Sequence, residues 1–504
     1  MLFHSTEFLF VFLPITWLGF VWLDRLGQSW GKVAWLTAAS LVFYAHWNPA
    51  YLWLLVTSIL ANFWIGRLVC PASTLSPAWR SALLVAGLVG NLGALAYFKY
   101  ANFFVDNLNL ALGTAFNIER VLLPLAISFF TFQQIAYVVD AFRGGSSRYG
   151  FMEYAFFVSF FPQLIAGPIV HHHEVIPQIE RDRWRPLGWE HLQVGATIFV
   201  IGLFKKMVIA DGCAEYATPL FEVAATGTVL STASAWTAAL GYSFQLYFDF
   251  SGYSDMATGL ARVFGIVLPL NFNSPYRATS VIEFWRRWHM TLSRFLREYL
   301  YIPLGGNRRG VTLRYANLMI TMLLGGLWHG AGWTFVAWGA LHGGFLVANH
   351  LVRSVTAPFF ERTPIRARIA GAFGWAVTML AVVIGWVFFR APDIGTAITM
   401  LESMFPFTPP QAPPLQGWTA QILSDNSHVW WLGFVSTVVL FAPSTQQYLR
   451  QYTPALEMSS VGASEFFPRW RPTFVHGFAV GCLVFLSARQ YFSLAPTEFL
   501  YFNF

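Results

Sequence analysis

The chain has 504 residues, of which 56% are hydrophobic, 18% aromatic and only 11% charged, with a formal charge of +7. An ordinary soluble domain carries roughly 25% charged residues, so a water-soluble fold of this composition would expose large apolar patches. The positive charge is scattered between apolar blocks, with no basic tail, zinc-finger spacing or RNA-binding motif; this excludes nucleic acid as a partner and points to membrane lipid.

Apolar blocks able to cross about 30 Å of hydrocarbon recur along the chain. Candidate spans fall near 8–23, 33–45, 50–66, 81–98, 121–139, 151–166, 192–210, 230–248, 315–328, 331–349, 371–389, 429–442 and 472–487. The first, Phe8 to Leu23, has neither a positive leader nor a small-residue cleavage site and reads as a retained span. Pro14, Pro124 and Pro162 interrupt apolar stretches and are expected to bend helices or open re-entrant segments. The expected fold is all-α: one polytopic membrane helical bundle over residues 1–504, with about eleven transmembrane helices and re-entrant segments.

Asp24, Arg25 and Lys32 flank the first loop and Arg67 and Arg80 the third, whereas His46 to Pro49 contains neither Lys nor Arg. The positive-inside bias then puts the N-terminus outside and residues 24–32 in the cytoplasm. Arg143 and Arg148 keep this parity; Arg181, Arg183 and Arg185 break it unless Phe160 to Val170 re-enters the membrane. The three cysteines, Cys70, Cys213 and Cys482, are too dispersed for a disulfide framework or a metal cluster. His171, His172 and His173, followed by Glu174, lack the His-Glu-x-x-His spacing and a further ligand in sequence, so they read as a polar membrane-edge loop and no metal site is expected.

Farther along, Asp249 and Asp255 lie in an apolar setting and need partners. Arginines of 277–297 are the expected ones, an acid/base role being the alternative. Lys205, Lys206 and Asp211 read as charge balance at the end of a span. Residues 271–314 carry eight arginines among Trp, Phe, Tyr and Leu, which no ordinary span tolerates. This segment either lines a polar cavity or lies at the interface with snorkelling arginines. His289 sits within it. His329, in Gly325-Gly326-Leu327-Trp328-His329-Gly330, stands between two apolar blocks beside glycines that permit close approach. A histidine there suits a general base, with a helix-to-helix hydrogen bond as the alternative. Forty residues separate His289 from His329, so any pairing is tertiary. His342 would lie about 140° from His329 around an uninterrupted helix and reads as a packing residue.

Taken together, these islands resemble the membrane-bound O-acyltransferase family, in its bacterial alginate O-acetylation branch with teichoic-acid D-alanylation relatives. The resemblance is carried by Phe8-Leu9-Phe10-Val11-Phe12-Leu13-Pro14, Phe161-Pro162-Gln163-Leu164-Ile165-Ala166-Gly167-Pro168, Phe248-Asp249-Phe250-Ser251-Gly252-Tyr253-Ser254-Asp255 and Phe284-Trp285-Arg286-Arg287-Trp288-His289. It continues through Tyr301-Ile302-Pro303-Leu304-Gly305-Gly306, Gly326-Leu327-Trp328-His329-Gly330 and Trp386-Val387-Phe388-Phe389-Arg390-Ala391. The resemblance implies a central tunnel, entered by a cytosolic acyl donor from one side and by the acceptor from the other. It places the family's essential histidine on His329, and its second polar position, Asn or His, on His289. It implies acetyl-CoA or an acetyl carrier as donor substrate with no permanently bound cofactor, and an extracytoplasmic acetyl-handling protein as partner. The expected activity is O-acetylation for an extracytoplasmic polysaccharide, from the bacterial inner membrane. Arg286, Arg287 and Arg294 are the candidates for donor phosphates, interfacial packing being the alternative. A transporter, or a non-catalytic subunit of a polysaccharide export complex, is the competing class.

Overall fold

In lipid, a backbone must satisfy its own hydrogen bonds, so a chain this apolar has helix as its natural state. The computed structural model describes residues 1–145, 149–180, 184, 188–360, 363–406, 423, 426–458, 461, 469–493 and 499–500. Within them the only β-feature is one isolated bridge, Pro269 to Leu456. Arg148, Arg181, Arg183, Arg185 and most of the Pro-rich stretch 406–415 lie outside the described residues.

The first half comprises α1 (Leu13–Arg25), α2 (Ser29–Ala45), α3 (Leu52–Val69), α4 (Pro77–Leu112), α5 (Ile127–Arg143), α6 (Phe151–Ser159), α7 (Phe161–Leu164), α8 (His172–Ile179), α9 (Trp189–Phe204) and α10 (Asp211–Ala225). The second half follows with α11 (Thr232–Val263), α12 (Val281–Arg287), α13 (Met290–Leu296), α14 (Val311–His329), α15 (Trp333–Phe360), α16 (Pro364–Arg390), α17 (Ile394–Met404), α18 (Ser427–Phe441) and α19 (Phe474–Ser493). Among the described residues, six helical segments are long and apolar enough to cross a membrane: Phe8–Arg25, Pro49–Val69, Pro77–Leu112, Trp189–Ala225, Trp333–Val355 and Ile365–Arg390. The molecule is an all-α polytopic membrane bundle.

The prolines act as their chemistry dictates. Pro14 lies inside one continuous helical segment, Phe8–Arg25, directly after the π-helical turn Phe8–Phe12, so it interrupts the regular winding of the span and does not start it. Pro162 opens the four-residue α7, after α6 has ended at Ser159. Pro124 lies in the non-helical stretch before α5, which therefore begins at Ile127.

Helix α11 is the axis of the bundle, buried along almost its whole length. Its close packing on α9 depends on reciprocal glycines. A Cβ on Gly195 would meet the Gly259 carbonyl oxygen at 2.7 Å, and one on Gly252 the Gly202 oxygen at 2.8 Å. The two acidic residues of α11 do not break it. They do not pair with the arginines of 277–297 either: Asp249 meets Lys206 at 2.8 Å, and Asp255 meets Lys205 at 2.6 Å. The reason is local. Lys205 and Lys206 open a π-helical turn, Lys205–Ala210, that joins α9 to α10 against α11. Lys206 also binds Asp211 at 2.9 Å, so the expected span-end charge balance is a buried network. Arg277 instead donates to the Val439 carbonyl at 3.1 Å and to that of Ala442.

Candidate active site

The site begins with a break in the helical chain. Helix α12 ends at Arg287, α13 starts at Met290, and His289 between them has φ +43°. That left-handed conformation is uncommon outside glycine, but His and Asn enter it more readily than most. Neighbouring backbone holds it there: Asn273 N–H donates to Arg287 O at 2.9 Å, and Met290 N–H to Asn271 O at 3.0 Å. Asn271 then fixes the His289 side chain, its Oδ1 lying 3.0 Å from Nδ1. The same oxygen accepts from the Thr291 hydroxyl at 3.0 Å, and that hydroxyl accepts from the Ile169 N–H at 3.0 Å. An amide oxygen only accepts, so Nδ1 carries the proton and Nε2 is the acceptor nitrogen of His289.

His329 is the last residue of α14. Its helix end is gripped from α4. Lys99 donates to the Trp328 carbonyl and, at 3.4 Å, to the Ser128 hydroxyl; Tyr100 donates to the Leu327 carbonyl at 2.8 Å. These are two of the orphan carbonyls that any helix C-terminus leaves over. The chain then turns through Gly330 to Gly332 into α15, which packs against α14 so closely that a Cβ on Gly339 would meet the Met322 carbonyl at 2.5 Å.

Both histidines face one indole. The Trp328 ring centroid lies 6.2 Å from that of His289 and 4.9 Å from that of His329. Both imidazoles are buried, at 0% and 3% exposure, so a proton moved between them and a bound hydroxyl would be shielded from bulk water. His342 belongs to the same neighbourhood, contrary to the helical-wheel expectation. The turn at Gly330 to Gly332 removes the continuous helix on which that angle rested. Trp338 stands 5.1 Å from His329 and 4.8 Å from His342, centroid to centroid. His342 is fully buried among Phe284, Trp285, Trp338 and Trp386, without a hydrogen-bond partner among the described residues.

The three candidate donor arginines are not equivalent. Arg294 forms a fork with Glu174 at 2.7 and 3.0 Å and reaches Glu457 at 3.1 Å. Arg287 pairs with Glu283 at 2.6 Å. Burial raises the Glu283 carboxyl, but hydrogen bonds from Thr279 and the charge of Arg287 outweigh that and hold it below its ordinary value. Arg286 is exposed and pairs with no carboxylate among the described residues.

Sequence reasoning missed Asn271, Lys99 and Tyr100. Lys99 did carry a signal, as an ionisable residue inside a long apolar helix. Asn271 carried none, because its role exists only through contact with His289.

Residues 141–389 match the membrane-bound O-acyltransferase family. A peptidoglycan O-acetyltransferase of Helicobacter pylori is 44% identical over 431 residues, covering 80% of each chain. The chain belongs to the membrane-bound O-acyltransferase family. A probable alginate O-acetylase of Pseudomonas aeruginosa is 42% identical over 413 residues, 81% of this chain and 75% of that one. A teichoic acid D-alanyltransferase of Bacillus subtilis is 26% identical over 274 residues, 52% of this chain and 66% of its own. The matched region contains α6 to α16 almost entirely, hence both active-site histidine candidates. As a membrane-bound O-acyltransferase with bacterial relatives and several long apolar helices, the protein is a multi-pass enzyme of the bacterial inner membrane.

Proposed function

We propose that this chain is a membrane O-acetyltransferase that takes acetyl from a cytosolic thioester donor and passes it to a hydroxyl, for modification of an extracytoplasmic polysaccharide. The observation that carries the mechanism is the convergence of the buried His329 and His289 on Trp328, in a chain 44% identical to a peptidoglycan O-acetyltransferase and 42% identical to a probable alginate O-acetylase.

His329 takes the proton of the acceptor hydroxyl as its oxygen attacks the thioester carbonyl. The tetrahedral intermediate collapses with cleavage of the C–S bond, and the departing thiolate receives that proton from His329. His289, with Nδ1–H directed to Asn271 Oδ1, presents Nε2 as an acceptor and orients the acceptor molecule through a second donor group, since the single proton of the reacting hydroxyl goes to His329. The donor is acetyl-CoA or an acetyl carrier, and Arg286, whose charge has no carboxylate partner among the described residues, is the favoured contact for donor phosphates over Arg287 and Arg294. The shorter helices complete about eleven spans around a central tunnel, with the whole chain as one domain and the N-terminus outside. An extracytoplasmic acetyl-handling protein completes the transfer to polymer, supported by the relatives named alginate O-acetylases.

Proteoliposomes holding the purified protein, supplied with radiolabelled acetyl-CoA outside and an acceptor inside, test this directly. Protein-dependent acetyl transfer is the expected result. Transport of the acceptor without acetyl transfer would overturn the reading.

A further inference from the structure

Apart from the histidine pair, one cluster of ligand-type side chains stands out, where the end of α5 meets the start of α8. Asp140, His171 and His173 each offer a ligand atom, and these atoms all lie within 4.8 Å of one another. In the sequence the histidine run lacks a further ligand, and Asp140 stands well before it. The fold makes the set by bringing the carboxylate of α5 to the extended residue that caps α8.

The surrounding hydrogen bonds fix how these groups point. The Tyr299 hydroxyl donates its single proton to Asp140 Oδ2 at 2.8 Å, so its 3.2 Å contact with His171 Nδ1 must be received from the imidazole. His171 therefore carries its proton on Nδ1 and keeps the Nε2 lone pair. Metal-binding histidines are ordinarily held this way, with the second nitrogen donating to an oriented oxygen. Asp140 is steadied in addition by His172, whose Nε2 lies 3.3 Å from Oδ2 and whose Nδ1 is 3.1 Å from the Tyr149 hydroxyl. His173 is exposed and makes no hydrogen bond among the described residues, which leaves it able to swing. Arg143 lies 4.0 Å from Asp140 and is half-exposed, so it can move aside, and Arg294, whose charge bears on His171, is neutralised by its fork with Glu174.

We propose that Asp140, His171 and His173 form a binding site for a divalent transition-metal ion of the zinc type. Two imidazoles and one carboxylate are a donor set suited to zinc, with water as the fourth ligand. Bonds of about 2.0–2.2 Å to a tetrahedral ion bring ligand atoms to roughly 3.3–3.5 Å apart. Closing from 4.8 Å requires a shift of about an ångström, which an exposed histidine makes by changing rotamer. The ion would fasten α5 to α8, at the end of the bundle that carries Arg80 and Arg143.

The site is tested by zinc binding to the full-length protein, purified without a polyhistidine tag and stripped with chelator. Calorimetry and elemental analysis should show one Zn²⁺ per chain. His173→Ala and Asp140→Asn should each weaken binding at least tenfold, while His46→Ala, at another exposed histidine, leaves it unchanged. Because His173 is exposed, its variant keeps the fold and decides the matter even where Asp140→Asn does not. Absence of saturable one-to-one binding, or wild-type affinity in His173→Ala, would overturn the proposal. Neither outcome depends on acetyl transfer.

Discussion

His289 is held in a left-handed backbone conformation that costs most L-residues about 1–2 kcal/mol, and Asn is among the few side chains that enter it routinely. The position therefore asks for two things at once, tolerance of positive φ and a hydrogen-bond acceptor. His289→Asn should retain more transfer than His289→Ala at matched protein level, and should melt at the higher temperature; equal loss in both would remove the acceptor role. Lys99 supplies a second residue-scale prediction. Its ammonium holds the carbonyl before His329, so Lys99→Met should lower kcat by roughly ten-fold or more with KM little changed, as expected for a displaced catalytic group. Lys99→Arg should recover part of that loss. A rise in KM alone would assign Lys99 to binding. Of these residues His329 drew attention in the sequence as an ionisable group between apolar blocks, His289 through the arginine-rich segment and the resemblance, and Lys99 was passed over although it too is ionisable within an apolar helix. Asn271 was not legible, since an amide eighteen positions from its partner looks like any loop residue.

Among the helices, the sequence identified the right polar islands and the wrong partners for them. Asp249 and Asp255 needed cations, and arginines were abundant thirty residues on; yet the lysines of the π-helical turn between α9 and α10 reach them. Nothing in a hydropathy pattern reveals which face such a turn presents. The His342 angle failed for a related reason, because three residues around Gly330 to Gly332 sufficed to end one helix and start its antiparallel neighbour. Lys206 and Asp249 are each 2% exposed, so removing one partner leaves a charge stranded in the bundle. Lys206→Met should destabilise the protein by about 3–5 kcal/mol, seen as a lower melting temperature in detergent. Lys206→Met with Asp249→Leu should regain stability relative to the single variant. A single variant that melts like wild type would show that the pair does not hold α9, α10 and α11 together.

For the molecule as a whole, the all-α membrane class followed from composition alone, whereas the individual span limits did not, because Pro162 starts a short helix while Pro14 lies within a continuous span. Charge bias makes a further whole-molecule prediction. With the native cysteines replaced, Gln28→Cys should resist an impermeant thiol reagent in intact cells, and Ala50→Cys should react; preferential labelling at position 28 would invert the topology. In the proposed mechanism acetyl transfer depends above all on His329 at the end of α14, whose helix end is held by Lys99 and Tyr100 and which adjoins the indole shared with His289. Losing a positioned proton transfer ordinarily costs about 10²–10⁴-fold in rate. The decisive measurement is acetyl transfer per mole of purified His329→Ala, with expression and melting temperature matched to wild type. A loss in that range is expected, and near-wild-type turnover by the folded variant would exclude His329 as the general base.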